Sequence, residues 1–226
     1  MNIFTRVKEF FMNLFKTNAE KEFGVDIISS DFMEMAQAEW QNIIKGRPYW
    51  ISESVRTINF AKFLCYYTSK KTCLDLNVTI SGSDRADYIN KCVKAMIQKS
   101  IRDKVEDACG AGGIIIKPSG TYNPAGAIDY VMPGSFAVTE KNSNGDILGV
   151  IFIDRQVKGE DYYTRLEYQH FISSIAGDEE NTERSYRIEN KAFKSRGSDS
   201  LGRSVKLSEV DVWKDIPETI TISNVE

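Results

Sequence analysis

"ACGAGGIIIKP", residues 108–118, decides how the chain is divided. Small residues and three glycines, Gly110, Gly112 and Gly113, lead into an isoleucine run closed by a lysine. Before it, "SDRADYINKCVKAMIQKSIRDKVEDACG" repeats apolar residues at helical spacing: Ile89, Val93, Met96, Ile97, Ile101, Val105 and Ala108. Charges of alternating sign occupy the other side, as on a solvated helix face. A phosphate cradle runs strand, glycines, helix, so that a helix N-terminus faces the anion. Here the order is helix, glycines, strand. A helix C-terminus presents carbonyls and partial negative charge, and it uses glycine for a left-handed cap. The stretch is a joint between two structural elements.

Upstream the texture is helical. "SSDFMEMAQAEWQNIIKG" offers Ser and Asp as caps and stops at Gly46, with Phe32, Met35, Ala36, Trp40, Ile43 and Ile44 as its apolar set, which predicts one buried face. "ISESVRTINFAKFLCYYTSKK" carries Val55, Ile58, Phe60, Ala61, Phe63, Leu64, Cys65 and Tyr67, an apolar sector wide enough to predict a helix central to the core. "LNVTISG", residues 76–82, alternates and is β-branched, which predicts a short strand.

Downstream the texture is β. "GIIIKP" and "AIDYVMP" predict short strands, the first interior because it is apolar throughout. Asn144-Gly145 between two β-rich runs is a hairpin signal, and residues 147–153 are apolar on both faces, as in a central strand. "DYYTRLEYQHFI" and "RSYRIENKAF" continue a meander across the acidic loop "GDEENTER". "KSRGSDSLGRS" reads as a Ser/Gly loop before "SEVDVW" and "TITISNVE". Helices first and an antiparallel meander afterwards predict an α+β fold, with N-terminal helices packed on the meander. The boundaries expected are an N-terminal amphipathic arm over 1–25 and one α+β body over 26–226. The strand-like alternation of Ile220, Ile222 and Val225 at the end suggests a chain cut from a longer one.

The 226 residues, 42% hydrophobic and 27% charged, have the composition of a globular protein. A net charge of -3 gives no global basic field to recruit nucleic acid. Cys65, Cys73, Cys92 and Cys109 form no CxxC pair, so free thiols in a reducing compartment are expected, with no metal or cofactor. No apolar run is long enough to cross a bilayer. "MNIFTRVKEFFMNLFK" carries Ile3, Phe4, Val7, Phe10, Phe11, Leu14 and Phe15 at helical spacing, flanked by Arg6, Lys8 and Lys16. Such a stripe suits a partner or neighbouring subunit, with Phe10, Phe11, Leu14 and Phe15 as the contact; the alternative is a peripheral membrane anchor.

Three further groups are of types that can carry chemistry. His170 shares strand parity with Tyr162, Leu166, Tyr168 and Ile172, so a hydrogen-bonded core histidine is expected rather than a catalytic base. Asp178, Glu179 and Glu180 lack the ligand spacing of a calcium loop and read as a solvated turn. Lys191, Lys194, Arg196, Arg203 and Lys206 cluster around the Ser/Gly loop. A soluble loop is expected, with phosphate contact by Lys194, Arg196 and Arg203 as the alternative. No catalytic set emerges, and a non-enzymatic protein is expected.

The order of these landmarks resembles the N-terminal part of tailed-bacteriophage portal proteins, in the branch found in phages and prophages of Gram-positive hosts. "WQNIIKGRPYW", the Asn59 helix, "EDACGAGGIIIKP", "MPGSF", "GVIFI", "YYTRLEYQHF", "YRIENKAF" and "LGRSVKLSEVDVW" carry the resemblance along most of the chain. The resemblance implies a wing-like fragment, preceding the stem and clip, of a ring that is typically dodecameric. It implies a virion location at the capsid vertex and the host cytoplasm during assembly. It also implies terminase, scaffold, major capsid and head-completion proteins as partners, with DNA passing through the channel without sequence specificity.

Overall fold

The computed structural model describes residues 18–28, 31–51, 58–118, 128–175, 182–197 and 200–223. The fold is α+β with mainly antiparallel strands, as the sequence predicts. The chain forms two compact units, one of Asp31–Pro133 and one of the segments on either side of it. Of the arm expected over 1–25, ahead of a body over 26–226, residues 1–17 lie outside the described residues. Residues 18–25 belong to the sheet-containing unit, where Ala19, Phe23 and Val25 join the core.

The helical unit holds α1 (Asp31–Ile44), α2 (Phe60–Cys73) and α3 (Ala86–Ala111), then β1 (Ile115–Pro118) and β2 (Ile128–Val131). The opening stretch is the joint expected: α3 ends on Gly112 at φ +83°, a left-handed cap open to glycine at little cost. Gly110 lies inside the helix, where a Cβ would press on Ile44 at 3.0 Å. β1 and β2 pair antiparallel with each other as a two-stranded sheet. β1 is not the interior strand expected, since Ile116 is exposed and Lys117 is buried. "LNVTISG" is not a strand either. The Asn90 carboxamide accepts from Ile80 N at 2.8 Å and donates to Ile80 O at 2.9 Å, so one side chain satisfies the backbone that a partner strand would pair.

The other unit is built on β3 (Phe136–Lys141), β4 (Ile147–Lys158), β5 (Asp161–Ile175), β6 (Thr182–Ser195) and β7 (Arg203–Val205), hydrogen-bonded in that order. β8 (Thr219–Ile222) shares the outer edge of β6 with β7, pairing at Tyr186–Glu189 while β7 pairs at Ala192–Lys194. The expected hairpin joins β3 to β4: Gly145 sits at φ +87°, and the Asn142 carboxamide oxygen accepts from the Asn144 and Asp146 amides. β4 is a central strand, as its two apolar faces predict.

Alternation along β4 to β6 splits the sheet into two faces, each with its own core. On one face Ile151, Leu166, Tyr168 and Phe193 pack with Ala19, Ile27 and Leu201. Residues 18–23 are helical, and Ile28 N donates to Val138 O at 2.7 Å, which ties this segment to β3. Lys191 fixes it from β6, donating to the Glu22 carbonyl and lying 4.7 Å from the Phe23 ring centroid. On the other face Tyr163 and Ala192 pack with Leu207, Val210 and Trp213. Leu207–Glu209 is a single 3-10 turn that brings Trp213 back onto the sheet, where it is 1% exposed.

Candidate functional site

The helical unit presents its apolar residues unusually. In α2, Phe60, Phe63, Leu64 and Tyr67 recur at three- and four-residue spacing and so share one face. All four are exposed, Phe60 at 63%, whereas Ser69 on the opposite side is 0% exposed. The helix thus turns a narrow stripe of Cys65, Ser69 and Cys73 inward and its rings outward, so it is not the core-central helix that the wide apolar sector predicts. Ser69 Oγ donates to Tyr66 O at 2.9 Å, which satisfies the hydroxyl on the buried side. Arg102 of α3 lies 4.8 Å from the Tyr66 ring centroid.

The outward rings form a ladder. Phe60 and Phe63 stack at 6.2 Å between centroids, Phe63 and Tyr67 at 6.3 Å, and Lys71 Nζ lies 5.7 Å from the Tyr67 centroid. α2 contains Lys62, Lys70 and Lys71 and no acid. α1 has the opposite character: Asp31, Glu34 and Glu39 with no base. Its apolar side is not the buried face expected, since Phe32 is 78% exposed and Met33, Met35 and Trp40 are exposed as well. Between the helices, Tyr49 and Trp50 meet edge to face at 4.9 Å, both exposed, and Ile58 is 88% exposed.

Asn59 holds this arrangement together. Its side-chain oxygen accepts from Lys62 N at 3.0 Å, capping α2, while its amide nitrogen donates to Ile44 O at 2.7 Å and Ile43 O at 3.0 Å. One side chain closes the start of α2 and the end of α1. Gly46, at φ +72°, completes the stop of α1 that the sequence predicts.

The sheet carries a polar network that the linear sequence did not single out. Register places Asp154 beside Arg165, Arg165 beside Ala192 and Glu167 beside Asn190 on one face. Arg165 Nη1 lies 3.0 Å from Glu167 Oε2 and donates to Asn190 Oδ1 at 3.2 Å; Trp213 Nε1 donates to Asp154 Oδ2 at 2.8 Å. Asn190 Nδ2 donates to Pro217 O at 3.0 Å, so the network fastens residues 213–217 to the strands. Tyr186 OH donates to Gln169 Oε1 and Gln169 Nε2 to Glu167 Oε1. Burial, and then the Glu167 charge, push the Tyr186 phenol above its ordinary value. These groups are committed to one another, which is the signature of a structural network. Strand parity was the signal that could have revealed it, once the pairing was known.

His170 lies on the apolar face beside Tyr168, as its parity predicts, with ring centroids 4.1 Å apart. The hydrogen bond expected of it is not made at Nε2. Nε2 is 3.5 Å from Glu189 Oε1 but has no hydrogen-bond partner, and burial holds its pKa below the usual 6.5. Of the basic cluster, Lys194 pairs with Asp161 at 2.7 Å and lies 5.2 Å from the Tyr163 ring centroid. The Asp161 and Tyr163 side chains raise its pKa, so its charge is already matched. Arg196, Arg203 and Lys206 are exposed. The four cysteines are free thiols, Cys109 exposed and the others half-buried. Burial, and then the nearby Cys109 charge, push the Cys65 thiol up.

Phe10, Phe11, Leu14 and Phe15, the cap candidates Ser29 and Ser30, Val55, and the acidic run Asp178, Glu179 and Glu180 lie outside the described residues. Among the described residues, no group of three or more His, Cys, Asp or Glu side chains is placed to hold a metal ion. No helix among them is long and apolar enough to cross a membrane. The chain matches no protein-family model, no curated protein and no solved structure at a significant level.

Proposed function

We propose that the chain is a structural subunit of a ring assembly of the phage-portal type, contributing wing-like α/β structure rather than chemistry. The observation that carries this reading is the outward aromatic surface of the helical unit. Phe32, Trp50, Ile58 and Phe60 are all more than half exposed. A unit with so much exposed apolar area is a candidate for burial against other chains. The landmarks that resemble portals run through this surface, from "WQNIIKGRPYW" to the Gly-capped joint at 108–118. The implied partners are further copies of the chain, with terminase, scaffold, major capsid and head-completion proteins around the ring. DNA would pass through the channel without sequence readout, which suits a net charge of only -3. Under this reading the ATP-driven work of packaging belongs to the terminase. Residues 10–15 would add a contact to a neighbour or to the capsid.

A serum raised against the chain, used on purified particles and on cell lysate, tests the reading. The expected result is a particle-associated band, with immunogold label at a single capsid vertex. A band confined to cytosol or membrane would remove the portal reading and favour peripheral membrane association through the N-terminal stripe.

A further inference from the structure

The end of α1, the start of α2 and the last turn of α3 meet at one place. Asn59, the cap of α2, donates to the Ile43 and Ile44 carbonyls at the end of α1. The Ile44 side chain in turn lies against Gly110 of α3, where a Cβ would stand 3.0 Å from it. The first half of α2 and the last turn of α3 are therefore both seated at Ile44. Each brings a cysteine there: Cys65 in the second turn of α2, and Cys109 beside Gly110.

The facing sides of the two helices agree. Arg102 lies 4.8 Å from the Tyr66 ring centroid. Arg102, Glu106 and Cys109 recur at four- and three-residue spacing, so they share that side of α3. On α2, Cys65 belongs to the inward stripe with the buried Ser69. We infer that Cys65 and Cys109 are an oxidation-sensitive pair, closing to a disulfide between α2 and α3 when the chain meets hydrogen peroxide. The pair stands whatever the chain assembles into.

Exposure divides the roles. Cys109 is exposed and Cys65 half-buried. The Cys109 sulfur attacks one peroxide oxygen, the O–O bond breaks, water leaves, and Cys109 carries a sulfenic acid. The Cys65 sulfur then attacks the Cys109 sulfur; the S–S bond forms, and the sulfenic hydroxyl leaves as water with the Cys65 proton. Two thiols lose one electron each, and one peroxide is reduced to two waters. Burial and the nearby Cys109 and Glu106 charges keep Cys65 protonated, so it answers an oxidised Cys109 rather than meeting peroxide itself. In a reducing compartment both thiols stay free. The inward stripe of α2 is only Cys65, Ser69 and Cys73, so a covalent link supplies part of what a larger apolar core would.

Mass spectrometry of the reduced 226-residue chain, treated dilute with hydrogen peroxide, tests the pairing. The intact product should be about 2 Da lighter, with two of the four thiols gone, and dithiothreitol should restore both. In the peptide map, the Cys65–Cys109 linkage should exceed every other pairing by about ten-fold. The same treatment in urea, where the fold no longer selects the pair, should give mixed linkages. Cys65→Ala should leave Cys109 to oxidise onward to the sulfinic acid, and Cys109→Ala should leave Cys65 reduced at the same dose. Far-UV circular dichroism confirms that both variants are folded; if they are not, the wild-type map alone decides. A Cys73–Cys92 link as the main product, a covalent dimer through Cys109, or a sulfinic Cys109 beside a free Cys65 in the wild type would each overturn the inference. So would a native map no different from the one in urea.

Discussion

The sheet unit and the helical unit contain the same kinds of residue and use them in opposite ways. In the sheet unit Ile151 and Leu166 are fully buried, Trp213 nearly so, and even the charges of Arg165 and Glu167 are drawn into a network. Among the described residues of the helical unit, Pro48 and Ala111 are the buried apolar residues, while Phe32, Ile58 and Phe60 face outward. Both units are ordered by hydrogen bonds, yet the sheet unit adds two apolar clusters. Its stability is thus internal. The helical unit relies on caps such as Asn59 and leaves its largest apolar side chains exposed.

Perturbations of the two units should separate accordingly. Trp213→Ala should have the largest effect, a loss of about 3–5 kcal/mol in urea unfolding, because it opens a cavity and leaves Asp154 without its indole donor. Gly202→Ala should follow, at about 1–3 kcal/mol: φ is +78°, and a Cβ there would collide with the Lys194 carbonyl. Asn59→Ala should cost about 1–2 kcal/mol, read as faster amide exchange at the start of α2 and the end of α1 with the sheet unaffected.

Acidification should act through His170. Burial holds its folded-state pKa below 6.5, so the unfolded chain takes up a proton first as pH falls. The resulting stability is complete above about pH 6.5 and is lost as pH drops toward the folded-state value. Glu189 and Glu140 oppose the shift and Arg187 adds to it, so the slope should be shallow. His170→Asn should flatten it in a pH series of unfolding midpoints. Phe63→Ser should have the smallest effect on the dilute chain, within about 0.5 kcal/mol of wild type, because the ring is already in water. A cost of several kcal/mol there would erase the distinction between the units.

Where an element is specified by its own backbone needs, the sequence could be read directly. Gly112 as the cap of α3, Gly46 ending α1 and the Asn144-Gly145 hairpin are all found. The meander order follows from short connections and alternation. What could not be read is which side of a segment faces the protein. The periodicity of α2 defines an aromatic stripe but is silent on whether α3 packs on that stripe or on the Cys65, Ser69 and Cys73 side. The two-sided apolarity of "GIIIKP" likewise hid that Lys117 turns in and Ile116 out. "LNVTISG" has strand-like residues, but Asn90 from ten positions away supplies the partner groups instead. The candidate surface was half-legible: its lysines and rings are plain in the sequence, and its exposure is not. The polar network needed the β5–β6 register before its members became neighbours.

Amide hydrogen exchange on the 226-residue chain, at low and at high protein concentration, bears most directly on the claim that one unit is complete and the other awaits a neighbour. The expected result is strong protection of β4, β5 and β6 at both concentrations, with α1 and α2 exchanging readily when dilute and gaining protection when concentrated. Protection of α1 and α2 equal to that of the sheet in the dilute chain, unchanged on concentration, would contradict it.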